Sequence, residues 1–343
     1  MSTTDHKNTQ SIPLHRVAIV RPFVRLLADI GAPVERGFRQ ACLPYSALED
    51  VNNYLPSHRF LAFLVNMSRS EGVMDLGFRV GEKFGSNSVD PRMSALLLSV
   101  PTLYQGLLKA SELSNRTVSN CRVGLLQPPD SGHAYFFHRP SCRADNPAID
   151  QIAWFGLMTY IGMIRVYTGP QWHPTEIGLM ADHLPCRYIR EQLPHTRMRM
   201  SQKFSYITLE NRLLGLPPLA EQGTMPVSAT HDYQPVQKGL DDSLEQILLS
   251  YIQESKMSIE FAAELCNTSK RTLQRRLQAK GTCFNELLAS AQFSAASRML
   301  HKPGTTITEI GYRLGYSDAA HFTRAFRRIA GVTPQVYRQQ YKH

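Results

Sequence analysis

Residues 311–338 read GYRLGYSDAAHFTRAFRRIAGVTPQVYR, and this stretch decides the fold of the C-terminal part of the chain. A short apolar-periodic segment ends at Gly315, and Ser317 is expected to cap a second helix that carries Asp318 in its first turn. Three apolar residues at i, i+4 and i+7 predict the buried face of that helix: Phe322, Phe326 and Ile329. Two short helices joined by a tight turn predict a helix-turn-helix unit at residues 306–330.

The polar side of this second helix is the candidate DNA-contacting surface of the unit. This side carries Arg324, Arg327 and the small residue Ala320, with His321 and Thr323 at its borders. An arginine can bridge guanine O6 and N7 in the major groove. Most protein–DNA hydrogen bonds go to the backbone, so capping or packing stays open for His321 beside base contact.

Residues 258–280 predict an earlier unit of the same kind. Ser258 is expected to cap one helix and Ser269 the next, across a turn at residues 266–268. Leu273 and Leu277 are spaced i, i+4 and are expected to face inward. The exposed side carries a stripe of residues that suit guanine and adenine contacts: Arg271, Gln274, Arg275 and Gln278.

A connecting helix is predicted between the two units, at residues 284–300. At ~1.5 Å per residue such a helix is about 25 Å long. It could therefore hold two recognition helices about 34 Å apart, which is one turn of the duplex. This spacing predicts that the two units read successive major grooves.

The charge of the chain is concentrated in the same region. Residues 256–343 contain 14 basic and 5 acidic side chains, whereas the other 255 residues contain 24 basic and 23 acidic ones. Such an asymmetry favours a polyanion-binding module joined to a nearly neutral one. A solvated basic surface is the alternative that charge by itself leaves open.

The two units together resemble the AraC/XylS family of transcription regulators. The resemblance rests on Gly-Tyr-x-x-Gly-Tyr-Ser-Asp-x-x-His-Phe-x-Arg-x-Phe and Gly-Val-Thr-Pro-x-x-Tyr-Arg within residues 311–338, and on residues 269–277 followed by Gly281. It implies double-stranded promoter DNA and RNA polymerase as partners. The family's contact positions correspond to Arg271, Thr272, Gln274 and Arg275 in the first unit and to Ala320, His321, Thr323 and Arg324 in the second.

Two residues depart from the family pattern. The family often has arginine where Gln292 stands in the connecting helix, which puts a buried ion pair there in doubt. It often has alanine where Gly311 stands, and glycine costs a helix about 1 kcal/mol relative to alanine.

The N-terminal half has a different pattern and predicts an α+β domain. Helical periodicity covers much of residues 21–114, and two β-rich segments at 121–126 and 133–138 flank a turn and predict a hairpin. A long apolar helix at 147–167 and further strands follow. The expected organisation is a disordered tail (1–15), an α+β sensor-like domain (16–219), a linker (220–238) and an all-α domain (239–341) with two helix-turn-helix units joined by a connecting helix.

Residues 75–81 and 101–107 resemble the N-terminal domain of one AraC-type subgroup, the arabinose-binding-like domain of regulators of ornithine use and quorum-sensing control. The resemblance implies a small-molecule effector as a candidate ligand, without establishing a sugar. Aromatic residues that could line its pocket are Tyr135, Phe137, Trp154, Phe155, Tyr160 and Trp172. The favoured alternative is that these residues are core.

Other functional classes find little support in the sequence. The chain has no nucleotide-binding, metalloprotease or hydrolase motif, and its six cysteines show no C-x-x-C pair, so we expect no enzyme, cofactor or metal. The longest mostly apolar run, 13 residues, is too short for a membrane span, and we expect a cytoplasmic protein. His173 and His183 are separated by a predicted strand, and we expect ordinary polar roles for them, with a metal site as the alternative.

Three hypotheses about function and control remain open at this point. The first is a regulator that forms a homodimer through its N-terminal domain and responds to an effector. The second is a regulator without a ligand, whose N-terminal domain only dimerises or binds a partner. The third is a DNA-repair methyltransferase that combines this DNA-binding module with a reactive cysteine, which would need basic or histidine neighbours.

We predict that DNA binding by this chain depends steeply on salt. Contacts with about 5–8 phosphates release counterions, so log K against log salt should have a slope of about −5 to −7. Fluorescence anisotropy of a labelled duplex at several salt concentrations measures this slope. A slope near zero would rule out the electrostatic mechanism.

Overall fold

The computed structural model describes residues 11–89, 96–117, 121–140, 146–219, 239–254, 257–301 and 304–340. The expected linker at 220–238 and the first ten residues of the expected tail lie outside these ranges. The chain divides into two compact units. Unit 1 contains residues 1–17, 42–59 and 237–343, and unit 2 contains residues 18–41 and 60–236.

The N-terminal half contributes helices and strands to both units. Its helices are α1 (Val17–Asp29), α2 (Val34–Gln40), α3 (Ser57–Ser70), α4 (Leu76–Val89), α5 (Leu103–Thr117), α6 (Ile149–Thr168) and α7 (Arg187–Gln192). Its strands are β1 (Leu14–Arg16), β2 (Tyr54–Pro56), β3 (Cys121–Leu126), β4 (His133–Pro140), β5 (Glu176–Gly178), β6 (Arg197–Arg199) and β7 (Ser205–Glu210). Two 3-10 helices lie at Tyr45–Glu49 and Asn211–Gly215.

A five-stranded sheet forms the centre of unit 2, in the order β3-β4-β7-β5-β6. The predicted hairpin is confirmed, because β3 and β4 pair antiparallel across the expected turn. Strand β7 then pairs with β4, with Phe136 opposite Ile207 and His138 opposite Ser205. Alternate residues of a strand point to opposite faces, so one face of the sheet carries these four side chains.

The long apolar helix α6 packs against helix α4 in the core of unit 2. The contact is close: a Cβ added to Gly77 would lie 1.9 Å from the carbonyl oxygen of Gln151, and one added to Gly81 would lie 2.5 Å from Cβ of Met158. The side-chain amide of Gln151 also accepts a hydrogen bond from the Gly77 N–H at 2.7 Å. Glycine at these two positions therefore lets the helices approach.

The C-terminal part is entirely helical where it is described. Its helices are α8 (Leu240–Tyr251), α9 (Ile259–Leu265), α10 (Lys270–Gln278), α11 (Phe284–His301), α12 (Ile307–Arg313), α13 (Ala319–Ala330) and α14 (Pro334–Gln340). Within described residues, no helix has the length and apolar character needed to cross a membrane.

Two of the three apolar residues predicted to form the buried face of α13 are in the core. Phe322 and Phe326 are 1% and 2% exposed and pack with Ile310 of the preceding helix and with Leu314, which follows that helix. The prediction for Ile329 is wrong, because its side chain is 45% exposed. The ring of Tyr337 from α14 covers Phe326 at 5.3 Å, one turn before Ile329, near the end of α13.

Helix caps confirm two expectations and correct a third. Oγ of Ser258 accepts from the Phe261 N–H, and Oγ of Ser269 accepts from the Thr272 N–H, both at 3.2 Å. The predicted cap at Ser317 is wrong. Asp318 has the extended backbone of a cap and accepts from the His321 N–H at 2.6 Å, so α13 begins one residue later than expected.

We predict that Thr306→Ala destabilises the chain by about 1 kcal/mol, because Thr306 caps α12 through a 3.1 Å bond from the Glu309 N–H. Ser317→Ala is the matched control, and it should change the free energy of unfolding by less than about 0.5 kcal/mol. Chemical denaturation of both variants measures the difference. Equal losses would contradict the assignment of the caps.

Candidate nucleic-acid interface

The two helix-turn-helix units share one turn geometry. In the first, the N–H of Thr268 donates to Ala263 O at 2.9 Å, and Asn267 has a positive φ of 50°. In the second, the N–H of Tyr316 donates to Gly311 O at 3.0 Å, and Gly315 has a φ of 82°. Both are Schellman motifs, in which a left-handed residue ends the first helix and turns the chain.

Helix α10 buries one face and exposes the other. Leu273 and Leu277 are 0% and 1% exposed. The exposed predicted contact residues are Arg271, Gln274, Arg275 and Gln278, while Thr272 is half-buried and its Oγ1 accepts from the Ser269 hydroxyl at 2.9 Å. Among the residues that the structure describes, no carboxylate forms an ion pair with Arg271 or Arg275, so both charges are available to DNA.

Helix α13 presents fewer polar groups on the corresponding side. Ala320, Arg324 and Arg327 are exposed. The Thr323 hydroxyl donates to Ala319 O at 2.8 Å, and the exposed His321 ring lies edge-on to Tyr316 with centroids 5.4 Å apart. The side chains of α13 best placed to reach DNA are therefore the two arginines.

Counting from the caps places the two sets of predicted residues at equivalent helix positions. With Ser269 and Asp318 as caps, the second, third, fifth, sixth and ninth residues of each helix are the predicted contacts. Arginine occupies the sixth position in both helices, as Arg275 and Arg324. The equivalence holds only with Asp318 as the cap.

Gln292 in the connecting helix has a structural role that the sequence did not predict. Its Nε2 donates to Leu314 O at 2.9 Å, and its Oε1 accepts from the Tyr316 hydroxyl at 2.9 Å. Both partners flank Gly315, so a neutral amide joins α11 to the turn of the second unit. Burial raises the pKa of Tyr316, which keeps its hydroxyl protonated as the donor.

The close contact at Gly311 explains why a glycine is suitable there. A Cβ at this position would lie 3.1 Å from Cβ of Phe322 and 3.3 Å from its Cγ. The missing methyl group therefore permits the close approach of α12 and α13.

The aromatic residues proposed for a ligand pocket do not come together at one place. Trp154 and Tyr160 belong to the core between α6 and the sheet, and Phe155 contacts Phe23 with ring centroids 4.9 Å apart. Trp172 is half-buried and packs against the same core.

Tyr135 and Phe137 lie on the other face of the sheet. Tyr135 contacts the ring of Tyr206, and Phe137 contacts the ring of Phe204, with centroids 5.2 and 4.9 Å apart. Tyr206 and Phe204 were not among the residues predicted from the sequence. The period-2 alternation of β7 indicates which of its residues share a face, but only the pairing with β4 shows that this face is the one that carries Tyr135 and Phe137. We call these four residues the outer aromatic cluster.

The two histidines considered for a metal have other partners. His183 lies 2.9 Å from Asp150 and 3.2 Å from Asp182, which raise its pKa. His173 lies 3.2 Å from Arg165, and burial together with that charge lowers its pKa. Across the described ranges, no three histidine, cysteine, aspartate or glutamate side chains form a group that could hold a metal ion.

The cysteine in the first helix-turn-helix turn is not activated. Burial raises the pKa of Cys266 to about 12. A nucleophilic cysteine needs its pKa lowered by nearby positive charge. This residue therefore lacks what the methyltransferase hypothesis requires.

Comparisons with known proteins identify the family to which the chain belongs. Residues 31–218 match the arabinose-binding domain of AraC transcription regulators, N-terminal, and residues 262–340 match a helix-turn-helix domain. The chain is 27% identical over 180 residues to the HTH-type transcriptional regulator VirS of Mycobacterium tuberculosis, which is 51% of this chain and 53% of VirS. It is 32% identical over 121 residues to the ornithine utilization regulator of Pseudomonas aeruginosa, covering 35% and 34% of the two chains.

Among solved structures, the transcriptional regulator CdpR of Pseudomonas aeruginosa aligns over 94% of this chain and 98% of its own, with 19% identity and a TM-score of 0.45. The match to VirS spans about half the length of that relative. The matched N-terminal model covers more than half of the chain, so the chain belongs to the AraC family of transcription regulators. The proteins it resembles are named as regulators of transcription, not as enzymes.

We predict that Arg275→Ala weakens DNA binding by about 1–3 kcal/mol and relaxes the preference at one base pair, as expected when an arginine that bridges guanine is removed. Arg276→Ala, at the exposed neighbouring position, is the control and should weaken binding to all sequences alike. Affinities for a panel of single-base variants of the site measure both effects. Uniform weakening by Arg275→Ala would assign this residue to phosphate.

Proposed function

We propose that the chain is a sequence-specific DNA-binding transcription regulator. The observation that carries the proposal is the exposed stripe of arginine and glutamine on α10, supported by the buried pair Leu273 and Leu277. Side chains held on a rigid helix can reach base edges in a defined register. Membership of the AraC family supports the same function.

The two recognition helices enter successive major grooves of one duplex in this proposal. Helix α11 has 18 residues and is about 27 Å long, which suits units one helical turn apart. Helix α10 offers four long polar side chains and α13 offers two arginines. We therefore assign most base discrimination to α10 and more of the phosphate affinity to α13.

The proposed regulator is a cytoplasmic homodimer whose N-terminal half responds to an effector or a partner. Its partners would be promoter DNA and, in activation, RNA polymerase, as the family resemblance implies. Of the aromatic candidates, Tyr135 and Phe137 of the outer aromatic cluster are better placed for an effector, because both are half-buried. The other candidates Trp154, Phe155 and Tyr160 are buried in the core. A regulator that dimerises without any ligand is the alternative.

The test is a comparison of single and paired DNA sites with the whole chain. Duplexes selected by the protein from a random pool are rebuilt with one or two copies of the bound motif. Dimerisation raises the local concentration of the second DNA-binding region, so paired sites should bind at least tenfold more tightly. Sedimentation velocity on the same sample reports the oligomeric state. Failure to select any sequence would overturn the proposed function.

Equal affinity for single and paired sites, together with a monomer in sedimentation, would show that the chain does not bind paired sites as a dimer. Sequence-specific DNA binding by one chain would be unaffected by that result. Calorimetry with a metabolite library then separates an effector-binding regulator from the ligand-independent alternative.

A further inference from the structure

A segment of the N-terminal half is built into unit 1, the compact unit that contains both helix-turn-helix units. Residues 42–59 belong to unit 1, although the chain on both sides of them, residues 18–41 and 60–236, belongs to unit 2. Strand β2 in this segment pairs with β1 and packs against α8, and its central residue Leu55 is fully buried. We call residues 42–59 the docking segment.

Backbone groups of the docking segment are hydrogen-bonded by side chains near the end of α8. The Tyr251 hydroxyl donates to Cys42 O at 2.8 Å, and Ser250 Oγ accepts from the Tyr54 N–H at 3.2 Å. Burial raises the pKa of Tyr251, so its hydroxyl stays protonated as the donor. These bonds fix the backbone of the segment at two points about a dozen residues apart.

A carboxylate that lies just after α8 caps a helix in the docking segment. Glu254 accepts hydrogen bonds from the Tyr45 N–H at 3.1 Å and from the Ser46 N–H. These are the first two residues of the 3-10 helix Tyr45–Glu49, which has no side-chain cap of its own. A negative charge stabilises free N–H groups at a helix start, so this short helix depends on Glu254.

Two ion pairs extend the contact to α9 and α11, the helices that precede and follow the recognition helix α10 in the chain. Arg59 lies 2.6 Å from Glu264 of α9, the first helix of the first helix-turn-helix unit. Asp50 lies 3.4 Å from Arg298 of the connecting helix α11. The Arg59 side chain is only 19% exposed, so solvent screens its pair less than an open surface pair.

We propose that the docking segment couples the N-terminal half of the chain to the first helix-turn-helix unit. The surface formed by α8, α9 and α11 is its binding site, and Arg59–Glu264 is the contact closest to DNA recognition. This inference rests on the proposed function and names the route by which that function is controlled.

The route follows from the continuity of α3. Arg59 lies in the first turn of α3, and the same helix continues to Ser70 through residues assigned to unit 2. A helix transmits displacement along its axis, so a change that shifts α3 also shifts Arg59. Linkage then requires the reverse effect, in which DNA binding changes the stability of the docking segment.

The test is a charge-swap cycle in the full chain, read by hydrogen exchange without DNA. Arg59→Glu and Glu264→Arg should each raise exchange in residues 43–56 and in α9 by about threefold to tenfold, and the double variant should restore most of the protection. The matched control swaps Arg187 and Glu191 of α7, a 2.6 Å pair within unit 2, and should leave both regions unchanged. If neither Arg59→Glu nor Glu264→Arg changes hydrogen exchange in these regions, the proposed docking contact is wrong.

The second readout is affinity for a duplex that the wild-type chain selects from a random pool. Glu264→Gln keeps the shape of a side chain that is 61% exposed and should fold even where Arg59→Glu does not. It should lower DNA affinity about threefold, and DNA should slow exchange in residues 43–56 of the wild type. Unchanged affinity and exchange would overturn the coupling. A wild type that selects no DNA would instead overturn the proposed function, while the exchange cycle still decides the docking.

Discussion

The surface proposed to face DNA depends on a pair of buried side chains spaced four residues apart in each of α10 and α13. Leu273 and Leu277 hold α10, and Phe322 and Phe326 hold α13, all of them at most 2% exposed. They occupy the fourth and eighth positions after the cap. A helix turns 100° per residue, so burying these positions directs the second, fifth, sixth and ninth outwards. The fixed exposure of the arginines is a consequence of apolar packing on the opposite side.

Much of the C-terminal region could be predicted from the sequence, because local rules determine it. Caps, apolar periodicity and turn residues all act within a few positions, and they were sufficient to predict the helices of both helix-turn-helix units. The error at Ser317 shows the limit. Both turns are Schellman motifs, but one extra residue separates the second motif from its cap, and Ser317 and Asp318 are both good capping residues. Only the observed backbone distinguishes them.

The N-terminal half was less predictable because long-range pairing shapes it. Strands β1, β2 and β6 have three residues each, too few for a periodic signal, and each exists through its partner strand. Leu14 and His15, expected in a disordered tail, are buried in β1 for this reason. The aromatic candidates shared a chemical type but were divided between two faces of a sheet, and that division appears only once the register of β4 and β7 is known.

The docking segment is held by several individually weak polar contacts and by buried apolar side chains. Its six polar contacts contribute at most about 1 kcal/mol each, and the fully buried Leu55 adds the free energy of apolar burial. A ligand that favours one of two arrangements by about 5.5 kcal/mol moves their ratio from 1:99 to 99:1. Because the segment is part of the same chain, its docking in this proposal takes place at a high effective concentration. In this proposal the docking segment sets a register, a role not expected of residues 220–238, whose sequence has no periodic apolar face.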